Sequence, residues 1–284
     1  MTIAVTRRTL LVCAATLAAG PAFAADDRFS PDGPFSLYGQ ATQGGWLRGR
    51  VPVGTTSLAL DGMAIRFADD GAFLIAFDRD AAPTATLMAQ GGDVRQTLSI
   101  APRAWRIEHV DTPMHPPGMP DAEFARRRSG ELAQISAART RDTRAQGWGA
   151  QGWRQSMIHP AAGPFSGRFG AQRVFRGVPA AYHSGLDIAA PAGAVIRSPA
   201  DGVVVLAVTG DPFTLEGHLV IIDHGMGLNS AMLHARALTV TEGQAVRQGQ
   251  TIGEVGMTGR ATGPHLHWSL AWHGHRLDPL LFLA

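Results

Sequence analysis

Gly263-Pro264-His265-Leu266-His267-Trp268 is the stretch on which the reading of this chain turns, together with Tyr182-His183-Ser184-Gly185-Leu186-Asp187 upstream. Along a β-strand successive side chains alternate faces, so His265 and His267 point to one side and Leu266 to the other, into a core. His183 and Asp187 offer a further nitrogen and a carboxylate oxygen from a remote segment. A His, an Asp and a second His form a hard-to-borderline donor set that suits Zn²⁺ and leaves a coordination place for water. One imidazole remains for proton transfer. Eight of the eleven histidines lie from His183 onward, which puts the chemistry in the C-terminal part.

The rest of that part supports a β-rich setting. Val195-Ile196, Val203 to Leu206, Leu219 to Ile222, Ala231 to Leu233 and Thr251-Ile252-Gly253 are short apolar runs between Gly, Pro and Asp turns. No helix of useful length separates them, so the sheet over 156–284 is expected to be mainly antiparallel.

Upstream, residues 39–106 read as a small all-β domain. Leu58, Leu60, Ile65 and Phe67 flank Asp61-Gly62, a strong hairpin signal, and Asp69-Asp70-Gly71 and Gly91-Gly92-Asp93 mark further turns. Strands of this spacing suggest an immunoglobulin-like sandwich serving as a spacer or docking module. Residues 113–149 form a Pro-rich linker and a helix. Pro113 to Pro120 excludes helix or central strand, and Asp121 is the expected N-cap of a helix running to about Gln146. Phe124, Leu132 and Ile135 share its apolar face, Arg127 and Glu131 make an i,i+4 pair, and Gly147 and Gly149 end it.

Composition narrows the class. With 284 residues and 45% hydrophobic content the chain is globular and long enough for two domains. A net charge of +2 gives no concentrated basic face for nucleic acid. Residues 1–24 read as a signal peptide: Arg7-Arg8, an apolar stretch from Leu10 to Ala19, and Ala22-Phe23-Ala24 before the cut. The apolar stretch is shorter than the roughly 20 residues a membrane span needs, so no stable membrane insertion is expected. Thr6-Arg7-Arg8-Thr9-Leu10-Leu11 resembles a twin-arginine motif incompletely, which leaves the Sec and twin-arginine routes open. The single cysteine, Cys13, falls within the signal, so the mature protein has no disulfide. The product is expected in the periplasm, or alternatively secreted.

His183-x-x-x-Asp187, Leu233-His234 and Gly259-Arg260-Ala261-Thr262-Gly263-Pro264-His265-Leu266-His267 together resemble the lysostaphin/LytM-type zinc metallopeptidases, over about Phe165 to Leu281. The β-domain and helix ahead of them resemble periplasmic members. The resemblance implies that His183, Asp187 and His267 hold Zn²⁺, that His265 is the general base, and that His234 orients the water or stabilises the oxyanion. It implies a monomeric endopeptidase acting on peptidoglycan peptides, with cell-wall proteins as further partners. Met226 and Met232 depart from the pattern, which often has Asn and Tyr there, and a missing Tyr hydroxyl would alter substrate contacts. The alternatives are a non-catalytic LytM-like regulator of an amidase and a wall-binding module read by the N-terminal domain. His159, His218 and His224 are expected to be surface or satisfied residues, His273-Gly274-His275 a hairpin tip, and Arg168 and Arg173 solvated, with contact to substrate carboxylates as the lesser alternative.

Overall fold

The computed structural model describes residues 34–111, 119–143 and 151–284. The expected signal peptide with Cys13, residues 113–118 of the Pro-rich linker, and Gly147 and Gly149 lie outside the described residues.

The chain is mainly β. A three-stranded antiparallel sheet (Ser36–Gln40, Trp46–Arg50, Ala72–Ala76) and a four-stranded one (Ser57–Leu60, Met63–Ile65, Thr84–Gln90, Val94–Ser99) make the N-terminal part. The alternation in Thr84–Gln90 buries Ala85, Leu87 and Ala89 and leaves their neighbours less covered. Asp61 and Gly62 form a two-residue loop between paired Leu60 and Met63, both at positive φ (48° and 83°), as a type I′ turn demands.

The C-terminal part is built on an eight-stranded antiparallel sheet. Its order is Ala245–Val246, Gly202–Ala207, His218–Gly225, Leu228–Ala235, His265–Trp272, Leu186–Ala189 and Phe165–Gly167, with His275–Leu277 also paired to His265–Trp272. Its central strands read as unbroken apolar runs because both faces are covered. Val204, Val220, Ile222 and Met232 face one core, whereas Val205, Leu219, Ile221 and Ala231 face another that the helix closes with Ile135 and Ala138.

That helix, Asp121–Thr140, differs in detail from the reading of its sequence. Asp121 is its first residue and Pro120 holds the N-cap position, with no side-chain capping bond. Its buried side is Glu131, Ile135 and Ala138, whereas Leu132 is 49% exposed. Arg127 reaches out to Asp211, and Arg128 is the partner of Glu131. The apolar stripe was too thin to fix the rotation. Tertiary ion pairs fix it instead: Arg128 forks onto Glu216 (2.5 and 2.7 Å), and Glu131 accepts from the backbone and hydroxyl of Thr214.

Among the described strands, one pairing is parallel. Ile107–Val110, past the end of the expected β-domain, runs alongside Gln172–Phe175, which also pairs antiparallel with Val178–Pro179. The two β-rich parts share a continuous core from Phe35 to Phe282. Trp46 donates its indole N–H to Leu281 O (2.7 Å) and packs on Phe282, and Arg103 pairs with the buried Asp278 at 2.7 Å. Among the described residues no helix is long and apolar enough to cross a membrane.

Candidate metal centre

Cross-strand register assembles the cluster. Asp187 stands opposite His267, Ala189 opposite His265, and Leu233 opposite His267 on the other side. The intervening Leu266 and Trp268 are fully buried and hold the strand down, so His265 and His267 rise on the opposite face. His183 joins from the loop before Leu186–Ala189. Its Nε2 lies 2.9 Å from Asp187 Oδ1 and 3.0 Å from His267 Nδ1, which is itself 2.7 Å from the same Oδ1.

These three atoms fit a metal ion better than they fit one another. His183 Nδ1 lies 2.9 Å from Arg168 O, which can only accept, so that nitrogen carries the proton and Nε2 presents a bare lone pair. A bare nitrogen 2.9 Å from a carboxylate oxygen is an acceptor facing an acceptor, which a shared cation resolves. Two glycines make room. A Cβ on Gly167 would sit 2.5 Å from Asp187 Oδ2, and one on Gly185 would sit 2.7 Å from His267 Nε2.

His234 and His265 stand beside the cluster, their ring centroids 4.8 Å apart, and His265 Nε2 is 3.9 Å from Asp187 Oδ1. Each directs Nδ1 to a backbone carbonyl, Thr258 O (2.9 Å) for His234 and Gly263 O (2.8 Å) for His265, which leaves both Nε2 atoms as acceptors. His234 adopts φ 64°, uncommon for a residue other than glycine. Its backbone N–H is held by Glu216 O at 2.8 Å.

Burial and charge set the protonation states. Burial, reinforced by His267 and His265, pushes the His234 pKa down to about 3. Burial likewise pushes His267 down to about 4 against the pull of Asp187. For Asp187 burial acts upward, but the His183 and His267 rings set against it outweigh that and hold the carboxyl well below its ordinary range.

Arg173 was expected in solvent, and the structure corrects this: its Nη2 lies 3.2 Å from Asp187 Oδ2 and its side chain is mostly covered. Arg168 contributes its carbonyl to His183, while its guanidinium lies over Phe165. Met232 is fully buried in the main core opposite Trp268, so a hydroxyl at that position would point away from the cleft. His224 is satisfied by Asp201 O and Ser230 Oγ, both at 2.7 Å, and exposed His159 stacks on Phe165. His218 lies 3.2 Å from Gly210 O, and His273 and Gly274 turn the hairpin with positive φ. Among the described residues, His183, Asp187 and His267 are the group whose donor atoms all lie within 4.8 Å of one another. The adjoining cleft, about 330 Å³, is lined by Arg173, Phe175, Glu108, Arg260, His234 and His265 among others.

Residues 181–279 match Peptidase family M23. All five residues of the cluster and its flank fall inside that segment. Over 98 residues the chain is 40% identical to the peptidoglycan DD-endopeptidase ShyA of Vibrio cholerae, covering 34% of this chain and 22% of that protein. The same identity and shares hold for the DD-carboxypeptidase/endopeptidase Mpg of Neisseria meningitidis. A lipoprotein NlpD/LppB homolog of Pseudomonas aeruginosa is 37% identical over 124 residues, 44% of this chain and 38% of that one. A crystal structure from Pseudomonas aeruginosa, provisionally described as a peptidase M23, superposes with a TM-score of 0.63 at 28% identity over 86% of this chain and 95% of that one. The chain therefore carries an M23 peptidase domain, and its match spans about a fifth of the length (22%) of ShyA and Mpg.

Proposed function

We propose that this chain, on the strength of its M23 domain, is a zinc-dependent endopeptidase that hydrolyses peptide bonds in peptidoglycan stems or cross-links. The observation that carries the reading is the convergence of His183, Asp187 and His267 on one point beside two imidazoles whose Nε2 atoms are acceptors. His183 Nε2, Asp187 Oδ1 and His267 Nδ1 are the donors that would hold the ion. When bound, zinc supplies a Lewis acid for the scissile carbonyl and lowers the pKa of water to about 7.

The remaining roles belong to the chain. His265 Nε2, at the open side of the cluster, takes the proton from the attacking water and returns it to the leaving amine. His234, neutral above pH of about 3, has no ring N–H facing the cleft, because Nδ1–H is engaged by Thr258 O. It therefore orients the water as an acceptor, a role this geometry favours over donation to an oxyanion. Arg173 holds Oδ2 of Asp187, which leaves Oδ1 turned to the two histidines.

Residues 1–24 act as a cleaved export signal, by the Sec or twin-arginine route, which places the protein in the periplasm, as a monomer. Residues 39–106, as an immunoglobulin-like unit, and the helix within 113–149, Asp121–Thr140, brace the 156–284 peptidase unit. The likeness to an NlpD/LppB homolog favours a second reading, a non-catalytic regulator of a wall amidase. Two assays decide between them: zinc content, and digestion of isolated wall by the purified chain alone. The hydrolase is expected to carry about one zinc per chain and to release muropeptides. His265→Ala keeps the zinc and abolishes release, whereas Asp187→Ala loses the zinc. Undiminished release by His265→Ala removes that residue as the base.

A further inference from the structure

Away from the metal centre, a cavity of about 610 Å³ lies between the last turns of the helix, the Gly225-Met226-Gly227 turn, the His273-Gly274 turn and Met63 of the N-terminal part. Arg139 and Arg276 both line it. No hydrogen bond or ion pair reaches either guanidinium among the described residues. Arg139 Nε is sealed off, but its Nη atoms and the three Arg276 nitrogens are not, and these are what a ligand in the cavity meets. Arg276 pairs with Ala271 on the strand that carries His267, roughly 13 Å along it at about 3.3 Å per residue, so the cavity stands apart from the metal centre.

The surrounding carboxylates are already engaged. Asp142 pairs with Arg66 at 3.2 Å, and Asp223 accepts from the Thr143 hydroxyl and the Gly225 backbone. Asp78 accepts the backbone N–H of Arg276 at 2.8 Å, and Glu216 holds Arg128. Residues 144–150, next in sequence, contain no Asp or Glu. Burial, with the Arg276 charge nearby, pushes the Arg139 pKa down to about 9, so the group is still a cation near neutral pH.

A covered charge is costly unless it is paired, and two uncompensated guanidiniums facing one space repel each other. A ligand with two negative charges relieves both. A phosphate monoester carries about −1.5 to −2 near pH 7 and three strong acceptor oxygens, whereas a carboxylate offers one charge and two oxygens. The cavity also falls in the range of roughly 300–1,000 Å³ that accommodates small organic ligands. Its remaining wall is partly apolar, with Ile135, Met63, Met226 and the 49% exposed Leu132. The geometry points to this cavity as a binding site for a phosphate dianion, carried as a monoester on a small organic group, with Arg139 and Arg276 as its donors. Because the N-terminal part, the helix and the sheet hairpins each supply a wall, the bound ligand ties the three together. The site is independent of the hydrolase reading.

The test uses the full mature chain loaded with zinc, labelled at its methionine methyls and titrated at fixed ionic strength with phenyl phosphate, inorganic phosphate and benzoate. Reading Met63 and Met226 by NMR confines the signal to this cavity, so that an anion bound at the metal centre is not counted. Phenyl phosphate is expected to shift both methyls and to bind at least about 10-fold more tightly than benzoate. Arg139→Gln and Arg276→Gln each weaken it at least about 10-fold, and Arg139→Lys recovers only part, since it restores the charge without the fork. Phenyl phosphate also raises the urea midpoint of the wild type and leaves that of either Gln variant in place, a readout that a purely structural role for the arginines does not give.

No shift at Met63 and Met226 with either phosphate at roughly 10 mM, equal affinity for benzoate, or affinity undiminished in both Gln variants overturns the site. Should a variant fail to fold, the comparison of phosphates with benzoate on the wild type decides alone. Weaker binding of inorganic phosphate than of phenyl phosphate supports the ester; equal binding keeps the dianion site and removes the organic group from it.

Discussion

Arg128→Ala tests how the helix supports the peptidase unit from outside the M23 segment. Arg128 gives Glu216 two hydrogen bonds (2.5 and 2.7 Å) and Glu131 a third at 3.1 Å. All three side chains are mostly covered, with relative exposures of 18% for Arg128, 14% for Glu216 and 8% for Glu131. Removing one partner of a buried pair costs about 3–5 kcal/mol. Residual solvent at Glu216, and the bonds Glu131 keeps to Thr214, place this case just below that range, at about 2–3 kcal/mol. With a urea slope of about 2–3 kcal/mol per molar, the unfolding midpoint falls by roughly 1 M. Glu216→Gln in the Arg128→Ala background recovers part of the loss, because the stranded charge goes with it. Activity falls as well, since the Glu216 carbonyl holds the backbone of His234 and the Leu215 carbonyl holds that of Arg260. A midpoint for Arg128→Ala within error of the wild type, measured by circular dichroism, refutes the reasoning.

Three further outcomes follow from the geometry. His234 and His267 have folded pKa values pushed down to about 3 and about 4, below the unfolded value near 6.5. The unfolded chain therefore binds more protons in that window, so the metal-free protein keeps full stability above pH of about 6.5 and loses it progressively as pH falls toward about 3; urea melts across that range check the sign. Gly185→Ala and Gly167→Ala drive a methyl into the His267 ring and the Asp187 carboxylate, and both are expected to lower zinc occupancy at least about 10-fold in a competition titration while the fold is retained. Trp46→Ala removes the bond to Leu281 O and the packing on Phe282, and is expected to cost about 3–5 kcal/mol in chemical denaturation.

The pairing of His265 with His267 was legible because alternation is a property of the backbone: Leu266 and Trp268 are wholly buried, and their neighbours must face the other way. The Asp61-Gly62 turn was legible for the same kind of reason, positive φ at both of its residues. Arg173 was not. Its place beside Asp187 depends on a parallel pairing between segments far apart in sequence, and no local pattern encodes that partner. The rotation of the helix was also hidden, since Arg127 and Arg128 are equivalent by composition and only the position of Glu216 tells them apart. Asp121 looked like a cap by residue type, yet the helix begins on it after Pro120.

The bond from Trp46 to Leu281 joins residues 235 positions apart. A contact of that span is slow to form, because a loop of that length must close before any of its energy is recovered. The N-terminal sheet therefore waits, one flank bare, for the short 3-10 turn Pro279–Phe282 to arrive and seal it. Closure of the N-terminal sheet is thus tied to the arrival of Leu281 and Phe282. A half-made chain has neither a closed N-terminal sheet nor the His265–Trp272 strand that brings His265 and His267 to the cluster.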